Sequence, residues 1–428
     1  MGTSLILLFV LCLALGIPVA FTMGVSGLGA ILLDGGVNPL AAMQRIFAGI
    51  DSFPLMAVPF FILASELMIA CGLTTALLRF ANALVGHIRG GLGHVNVLVS
   101  MLFAGISGSA LADAAGPSAI IMRMMRKAGY EANYAGALSA ATATIGPIIP
   151  PSILMVVYAI SDSRVTVAGL FLAGLLPGLL LGIALAVANH IVSIRHDYRG
   201  RDQRASAREL GGSLLVALPA LIMPFIILGG ILGGVFTPTE AGAVASAYAL
   251  FLGLLLRRLP LRTLYGVLTR AAVTTSSVLL IVAMASLFGW LLTYLKIPQD
   301  LAVMLAGLTE DRLTILLLLA GFALLCGLFI DTLPALIILT PVLGPIAAQF
   351  GIDPLHFAMM LVLNLTIGMI TPPVGPVLFV IATVGKLRME RLSRAVLPLL
   401  AAEIAVLLLV IFVPAISTAV PAFFGFKS

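Results

Sequence analysis

The chain has 428 residues, 61% of them hydrophobic and 9% charged, with a mean hydropathy of +1.21; this excludes an ordinary soluble domain and leaves a polytopic membrane protein. The net charge of +6 is placed unevenly, with Arg195, Arg199, Arg201, Arg204 and Arg208 crowded into one short loop, which marks a cytoplasmic connection and argues against nucleic acid. Cys12, Cys71 and Cys326 fall singly in apolar stretches, so neither a disulfide framework nor a metal site is expected.

Residues 3–33 read as a first membrane crossing, without the basic leader and small-residue cleavage site of a removable signal. Residues 54–72 read as the next. In the stretch 74–89, Leu77, Phe80, Ala81 and Leu84 share a helical stripe with Arg79, Asn82 and Arg89 off it. That pattern suits a helix lying in the interface, either an arm clasping a moving unit or a plain connector. The stretch 91–127 is too long for one crossing and is interrupted by SGSALADAAG at 107–116. It reads as a re-entrant hairpin. Helices over 131–160 and 167–193 close a first repeat, 1–193, and a basic loop at 194–212 leads to a second, 213–428. There, scaffold helices within 213–295 are followed by a second hairpin, 313–350, with DTLPA at 331–335 as its tip, then by 354–384 and 391–415. Thr237, Pro238 and Glu240 fit a helix start with a capping box, so Glu240 reads as a cap.

One string occurs twice. Residues 144–151 are TIGPIIPP and residues 366–373 are TIGMITPP, displaced by 222 positions with six of eight residues identical. Each copy lies inside an apolar run, where Gly and a Pro-Pro pair cannot continue a helix because proline lacks the amide donor and displaces the residue before it. Pro150, Pro151, Pro372 and Pro373 therefore break helices 131–160 and 354–384. Unwound backbone survives in hydrocarbon only when buried in protein or lining a polar cavity, and paired breaks in two halves point to a transporter's binding site. Gly105 and Gly327, Gly129 and Gly351, and Pro177 and Pro398 extend the match. With an odd number of crossings between them, the halves read as inverted-topology repeats. The expected fold is thus an all-α polytopic membrane protein whose repeats each carry a re-entrant helical hairpin and a broken helix.

The residue types at tips and breaks suit ions. Free carbonyls and the hydroxyls of Ser107, Ser109, Thr144, Thr366 and Thr371 suit a hard cation such as Na+, and half-helix N-termini suit an anionic substrate. Asp113 and Asp331 are the acids at the tips, and Asn364 precedes the second break. An intramembrane carboxylate is functional by default, or else it caps the helix that follows. Glu66 and Glu403 lie in crossings that look remote from the breaks and read as structural hydrogen-bonding groups. The five histidines, His87, His94, His190, His196 and His356, show no ligand spacing. No HExxH, phosphate-cradling Gly-Lys-Ser/Thr loop or GxSxG elbow is present. Neither ATPase nor hydrolase chemistry is expected, so the chain reads as no enzyme, driven by an ion gradient or a partner.

An ordered set of segments resembles the large membrane subunit of the tripartite ATP-independent periplasmic (TRAP) transporters, the DctM-like family. It includes FPLMAVPFFILASELM at 53–68, GHIRGGLGHVNVLVSMLFAGISGSALADAAG at 86–116, KAGY at 127–130, IIPPSI at 148–153, LFLAGLLPG at 170–178 and IGMITPPVG at 367–375. The resemblance implies a multi-pass protein of the bacterial inner membrane that imports a small organic anion, such as a C4-dicarboxylate or sialic acid, by a sodium-coupled elevator motion. It implies two partners, a small four-helix membrane subunit and a periplasmic binding protein, and no cofactor besides Na+ as the coupling ion. Cation ligands carried over are Ser107, Ser109, Thr144, Gly146 and Pro150 in the first half, and Asp331, Thr332, Thr366, Gly368 and Thr371 in the second. Substrate is expected against Ser107, Ser109, Asp113, Ser152, Asn364 and Thr371. The other transport reading is a stand-alone elevator carrier or exchanger for carboxylates, coupled to Na+ or H+ and needing no binding protein.

Overall fold

The computed structural model describes residues 1–307, 309 and 311–426, and no β-strand occurs among the described residues. The expected first crossing, 3–33, is instead two helices, α1 (Gly2–Ala14) and α2 (Val19–Asp34). Gly16 adopts φ +74° and Pro18 caps α2, so the chain reverses between them and the Met1 amine meets the Asp34 carboxylate at 2.5 Å. At 13 and 16 residues the helices are roughly 20 and 24 Å long, short of a full crossing.

Next come α3 (Pro39–Ile50), capped by Asn38, and a 3₁₀ turn, Phe53–Met56, that runs into α4 (Ala57–Ala70). The expected arm is α5 (Leu73–Val85). Its buried side includes Leu73, Leu77 and Ala81, whereas Leu84, expected on that stripe, is exposed.

The first hairpin consists of α6 (Gly91–Ser107), the tip Gly108 and Ser109, and a return arm of α7 (Ala110–Asp113), a π turn (Ala114–Ser118) and α8 (Ala119–Lys127). Pro117 lies in the π turn, where its missing amide goes with a widened ladder. The helix expected at 131–160 is α9 (Ala132–Ala143) and α10 (Ile153–Ser161), and α11 (Val167–Arg195) follows.

The loop to α12 (Ala207–Leu232) is shorter than the expected 194–212, and it is docked. Tyr198 stacks on Tyr130 with centroids 4.2 Å apart, its hydroxyl accepts from the Glu131 amide at 3.1 Å, and its carbonyl accepts from the Gly90 amide at 2.9 Å. The basic loop thereby ties the root of the first hairpin to the start of α9. Arg89 hydrogen-bonds Asp197 and, with Arg199, holds that carboxyl below the ordinary carboxylate range.

In the second half, α13 (Pro238–Leu255) starts on the expected capping box, with Thr237 and Glu240 bonding reciprocally. The long α14 (Leu261–Tyr294) has 34 residues and begins a dozen positions before the expected 273, because Arg262 and Arg270 interrupt the apolar run but not the helix. Then come α15 (Ile297–Ala306), the second hairpin α16 (Arg312–Phe329) and α17 (Thr332–Gln349), the broken pair α18 (Pro354–Gly368) and α19 (Pro376–Gly385), α20 (Met389–Phe412) and α21 (Ala415–Phe423). Among the described residues, eight helices are long and apolar enough to cross a membrane.

Packing sorts these elements into two groups. On one side α4 lies against α13 and α14, and α2 and α3 flank α14. On the other, α9 packs on α19 and α20, and α18 on α16, α17 and α11. Helices α9 and α18 are the interior of this second group, with every residue from Tyr134 to Ala143 and from Leu355 to Gly368 buried. A helix enclosed on all sides carries no polar stripe, and the run AGALSAATA in α9 lets its neighbours approach closely. The halves interlock, because α20 of the second packs on α9 of the first.

Candidate functional site

Both Pro-Pro pairs interrupt their helices as expected, each with a cis bond. In the first break the chain turns through 144–152, and Ser152 caps α10 by accepting from the Met155 amide at 3.4 Å while its hydroxyl donates to the Pro147 carbonyl. Val374 stands where the repeat would place a second such serine. There Gly375, at φ +51°, starts α19 without a side-chain cap.

Each hairpin lies against the break of its own half. At the first tip, a Cβ on Gly108 would sit 3.0 Å from the Pro151 carbonyl oxygen and 3.2 Å from the Ile153 nitrogen. In the second half, Gly327 of α16 and Gly368 at the end of α18 meet backbone to backbone. Thr332, the first residue of α17, reaches the Leu365 carbonyl at 3.4 Å.

Between the tips and the scaffold lies a cavity of about 240 Å³. Ser107 and Ser109 line it from the first tip, and Asp331 and Thr332 from the second, with Pro147 and Met369 contributed by the two breaks. The opposite wall is Ser65 and Glu66 of α4 and Thr274 of α14. Two hairpins, two breaks and two scaffold helices therefore converge on one space.

This architecture has relatives. Residues 6–416 match the family described as the tripartite ATP-independent periplasmic transporter, DctM component. The sialic acid TRAP transporter large permease protein SiaM of Vibrio cholerae is 43% identical over 410 residues, 96% of each chain. The chain belongs to the DctM family. In Oleidesulfovibrio alaskensis, a protein named isethionate TRAP transporter permease protein DctMQ is 39% identical over 97% of this chain and 65% of its own length. The solved YdaH transporter of Alcanivorax borkumensis shares the fold, with a TM-score of 0.60 and 17% identity over 90% of this chain and 87% of that one. This DctM chain is a multi-pass protein of the bacterial inner membrane.

Within this DctM component the expected site residues divide. Ser107, Ser109, Asp331 and Thr332 line the cavity. Asp113, Asn364 and Thr371, expected against substrate, do not belong to its wall, and neither does Ser152. Asp113 is 1% exposed, with neither carboxylate oxygen hydrogen-bonded, and it lies over the first break, where a Cβ on Gly146 would be 2.2 Å from its Oδ2. Asn364 donates to the Ala320 carbonyl at 2.7 Å and so ties α18 to α16. Thr366 and Thr371 donate to the carbonyls of Val362 (2.7 Å) and Ile367 (2.9 Å). Thr144 Oγ1 lies 2.6 Å from the Ala141 carbonyl oxygen and 2.9 Å from Glu403 Oε1.

The donor set around Asp113 fits a hard cation. It combines a buried carboxylate with the unwound turn at Gly146 beside it, whose backbone carbonyls are oxygen donors. At the second tip, Asp331 precedes α17 and lines the cavity beside Thr332.

Two acids that look remote along the sequence are not remote in space. Glu403 touches Thr144 at the first break, and Glu66 faces the cavity with Arg270 at 2.8 Å behind it. Their signal in the sequence is an acid inside a crossing with no base one turn away on its own helix. The Glu66–Arg270 pair has side chains 24% and 57% exposed, so its contribution is modest. Arg270→Ala and Glu66→Gln, made singly and together, should show a coupling of about 0.5–1 kcal/mol in equilibrium unfolding. Additive effects would show that the two side chains act independently.

Proposed function

We propose that this DctM component imports a small organic anion together with Na+, working with a small four-helix membrane subunit and a periplasmic binding protein that delivers the cargo. The observation that carries this reading is the single cavity at which both hairpin tips and both breaks meet two scaffold helices. A binding surface split between the two packing groups is what a moving unit needs in order to carry cargo past a fixed one, and it supports an elevator motion with inverted repeats.

Asp113, the carbonyls around Gly146 and Pro150, and the neighbouring Ser107 would hold one Na+. Asp331, Thr332 and the turn from Gly368 to Thr371 would hold another. Ser109 and the polar scaffold wall would face the anion. Bound cations supply the positive charge that an anion needs in a cavity faced by the acids Asp331 and Glu66. The names of the relatives point to a carboxylate in one case and a sulfonate in the other, which share the chemistry of a small hydroxylated or polar organic anion. The matched family and relatives are described as transporter components, which supports transport rather than catalysis.

Uptake into proteoliposomes holding this chain and the small subunit should require both an inward Na+ gradient and the loaded binding protein. Collapsing the gradient should lower the initial rate by at least about tenfold, equivalent to about 1.4 kcal/mol. Uptake that is indifferent to the gradient, or undiminished without the binding protein, would remove sodium coupling or tripartite assembly respectively.

A further inference from the structure

We infer that the outer face of the protein carries a second small-anion site, in which Arg164 and the hydroxyls of Ser163 and Thr340 receive a carboxylate or sulfonate. A pocket of about 400 Å³ lies between the loop joining α10 to α11 and the later turns of α17. Ser161, Ser163 and Arg164 line it from the loop, and Thr340, Pro341 and Pro345 from α17. It shares no residue with the cavity between the tips. Helix α11 is long enough to cross the membrane and ends at Arg195, on the basic loop that marks the cytoplasm. The loop before its start at Val167 therefore faces the periplasm, the side from which cargo arrives.

The ion pair in this pocket presents its positive half. Arg164 Nε and Nη2 donate to the two Asp162 oxygens at 2.8 and 2.6 Å, and Nη1 donates to the Gly344 carbonyl at 3.0 Å. The Asp162 carboxylate also accepts from the Arg164 amide at 3.1 Å and the Tyr158 hydroxyl at 3.4 Å. Asp162 is thus turned inward, its side chain 6% exposed against 32% for Arg164. An incoming anion meets the guanidinium before its counter-ion. These bonds engage three of the five N–H donors in a fork whose geometry suits carboxylates and other oxyanions.

Thr340 supplies an independent observation. It is 1% exposed, and its hydroxyl has no hydrogen-bond partner. A buried hydroxyl without a partner is unfavourable, so it gains from a ligand that bonds it. Thr340 and Gly344 are four apart on α17 and share a face. A Cβ on Gly344 would lie 2.6 Å from Arg164 Nη2, so the bare glycine lets the guanidinium rest against that face. Pro341 and Pro345 offer apolar surface to a carbon skeleton. The pocket is one-sided, because at the displacement of 222 the counterparts of Gly344, Pro345 and Ala348 are the bulkier Met122, Arg123 and Arg126. Thr340 lies eight residues along α17 from Thr332 of the second tip, about 12 Å at the helical rise. A role as a waiting place for delivered cargo rests on the function proposed above. The binding itself is read without Na+ or transport, so either can fail alone.

The test labels Ser163→Cys in the full chain, in zwitterionic nanodiscs and Na+-free buffer. Cys326→Ser serves as background, since Cys12 and Cys71 are buried. Relative to a free thiol in solution, anionic sulfonatoethyl methanethiosulfonate should react about tenfold faster than its cationic trimethylammonium counterpart, a bias of about 1.4 kcal/mol. Arg164→Gln should remove that bias. Methanesulfonate and acetate should slow labelling saturably, whereas dimethyl sulfone, the uncharged isostere of methanesulfonate, and chloride at equal ionic strength should not. Thr340→Val keeps the charge, so it should retain the reagent bias and weaken methanesulfonate protection severalfold. This variant keeps the test decisive if Arg164→Gln, which strands Asp162, does not fold. Equal rates for the two reagents, protection by chloride as strong as by methanesulfonate, or protection untouched in Thr340→Val would overturn the site. So would protection by the binding protein with free anions inert, which would make the pocket a socket for an acidic side chain of that protein.

Discussion

Asp113→Ala should abolish Na+-driven uptake, by about a hundredfold or more, while leaving the protein folded. The expectation follows from where the carboxylate sits. Asp113 is buried on the first hairpin's return arm, above Gly146, with no hydrogen-bond donor on either oxygen. A buried charge without a partner costs several kcal/mol, and removing the partner of a buried pair typically costs about 3–5 kcal/mol. A fold that keeps such a group gains from what binds it, and at about 1.4 kcal/mol per tenfold the loss of that partner amounts to two to three orders of magnitude in cation affinity. The sign of the stability change separates this account from a structural one. Asp113→Asn removes the charge and preserves the shape, so in Na+-free buffer it should melt no lower than wild type. Wild type should gain stability as Na+ is added, in proportion to the logarithm of its concentration above the dissociation constant, and the Asn variant should lose most of that gain. Should Asp113→Asn melt lower without Na+ and keep the full Na+-dependent rise, the carboxylate is a structural group and the cation site proposed for it falls.

The breaks were legible because they are chemistry of the backbone. A Gly and two prolines stop a helix whatever surrounds them, and their repetition at a fixed displacement names the site's skeleton in advance. The hairpins were legible from length against tip composition, and α13 from its capping box. The missed features fail for equally definite reasons. An apolar run continues unbroken through Gly16 and Pro18, so hydropathy reports one span where the backbone makes two helices. The start of α14 was hidden because Arg262 and Arg270 end the apolar run without ending the hydrogen-bonded ladder. Short α3 and α15 are too brief to declare a period. The site was half legible: hairpin tips announce Ser107, Ser109 and Asp331, but which face of a helix Asn364 or Asp113 presents is decided by its neighbours. The pairing of Thr144 with Glu403 spans 259 positions, and no local pattern encodes it.

Alanine should be tolerated at Gly327 and not at Gly368, although the two glycines touch. A Cβ on Gly327 would meet its nearest atoms, the Gly368 Cα and the Leu365 oxygen, at 3.4 Å, an ordinary contact. A Cβ on Gly368 would lie 2.8 Å from both the carbonyl carbon and oxygen of Gly327 and 2.9 Å from its Cα. These are backbone atoms, so no side chain can swing aside, and α16 must move off α18 by several tenths of an ångström. Overpacking of this kind costs about 1–3 kcal/mol, against up to about 1 kcal/mol gained from replacing glycine by alanine in a helix. Gly321, a helical residue of α16 with open space at its Cβ, supplies the control in which only that gain operates. At a fixed scan rate, Gly368→Ala should therefore melt several degrees below wild type, while Gly327→Ala and Gly321→Ala melt at or slightly above it. Because the displaced element carries the second tip, with Asp331 and Thr332 lining the cavity, Gly368→Ala should also weaken Na+ dependence of uptake more than its loss of stability explains. Equal melting of the 368 and 321 variants would mean that the hairpin and the second break are not in register as described, and the second cation site proposed there would lose its geometry with them.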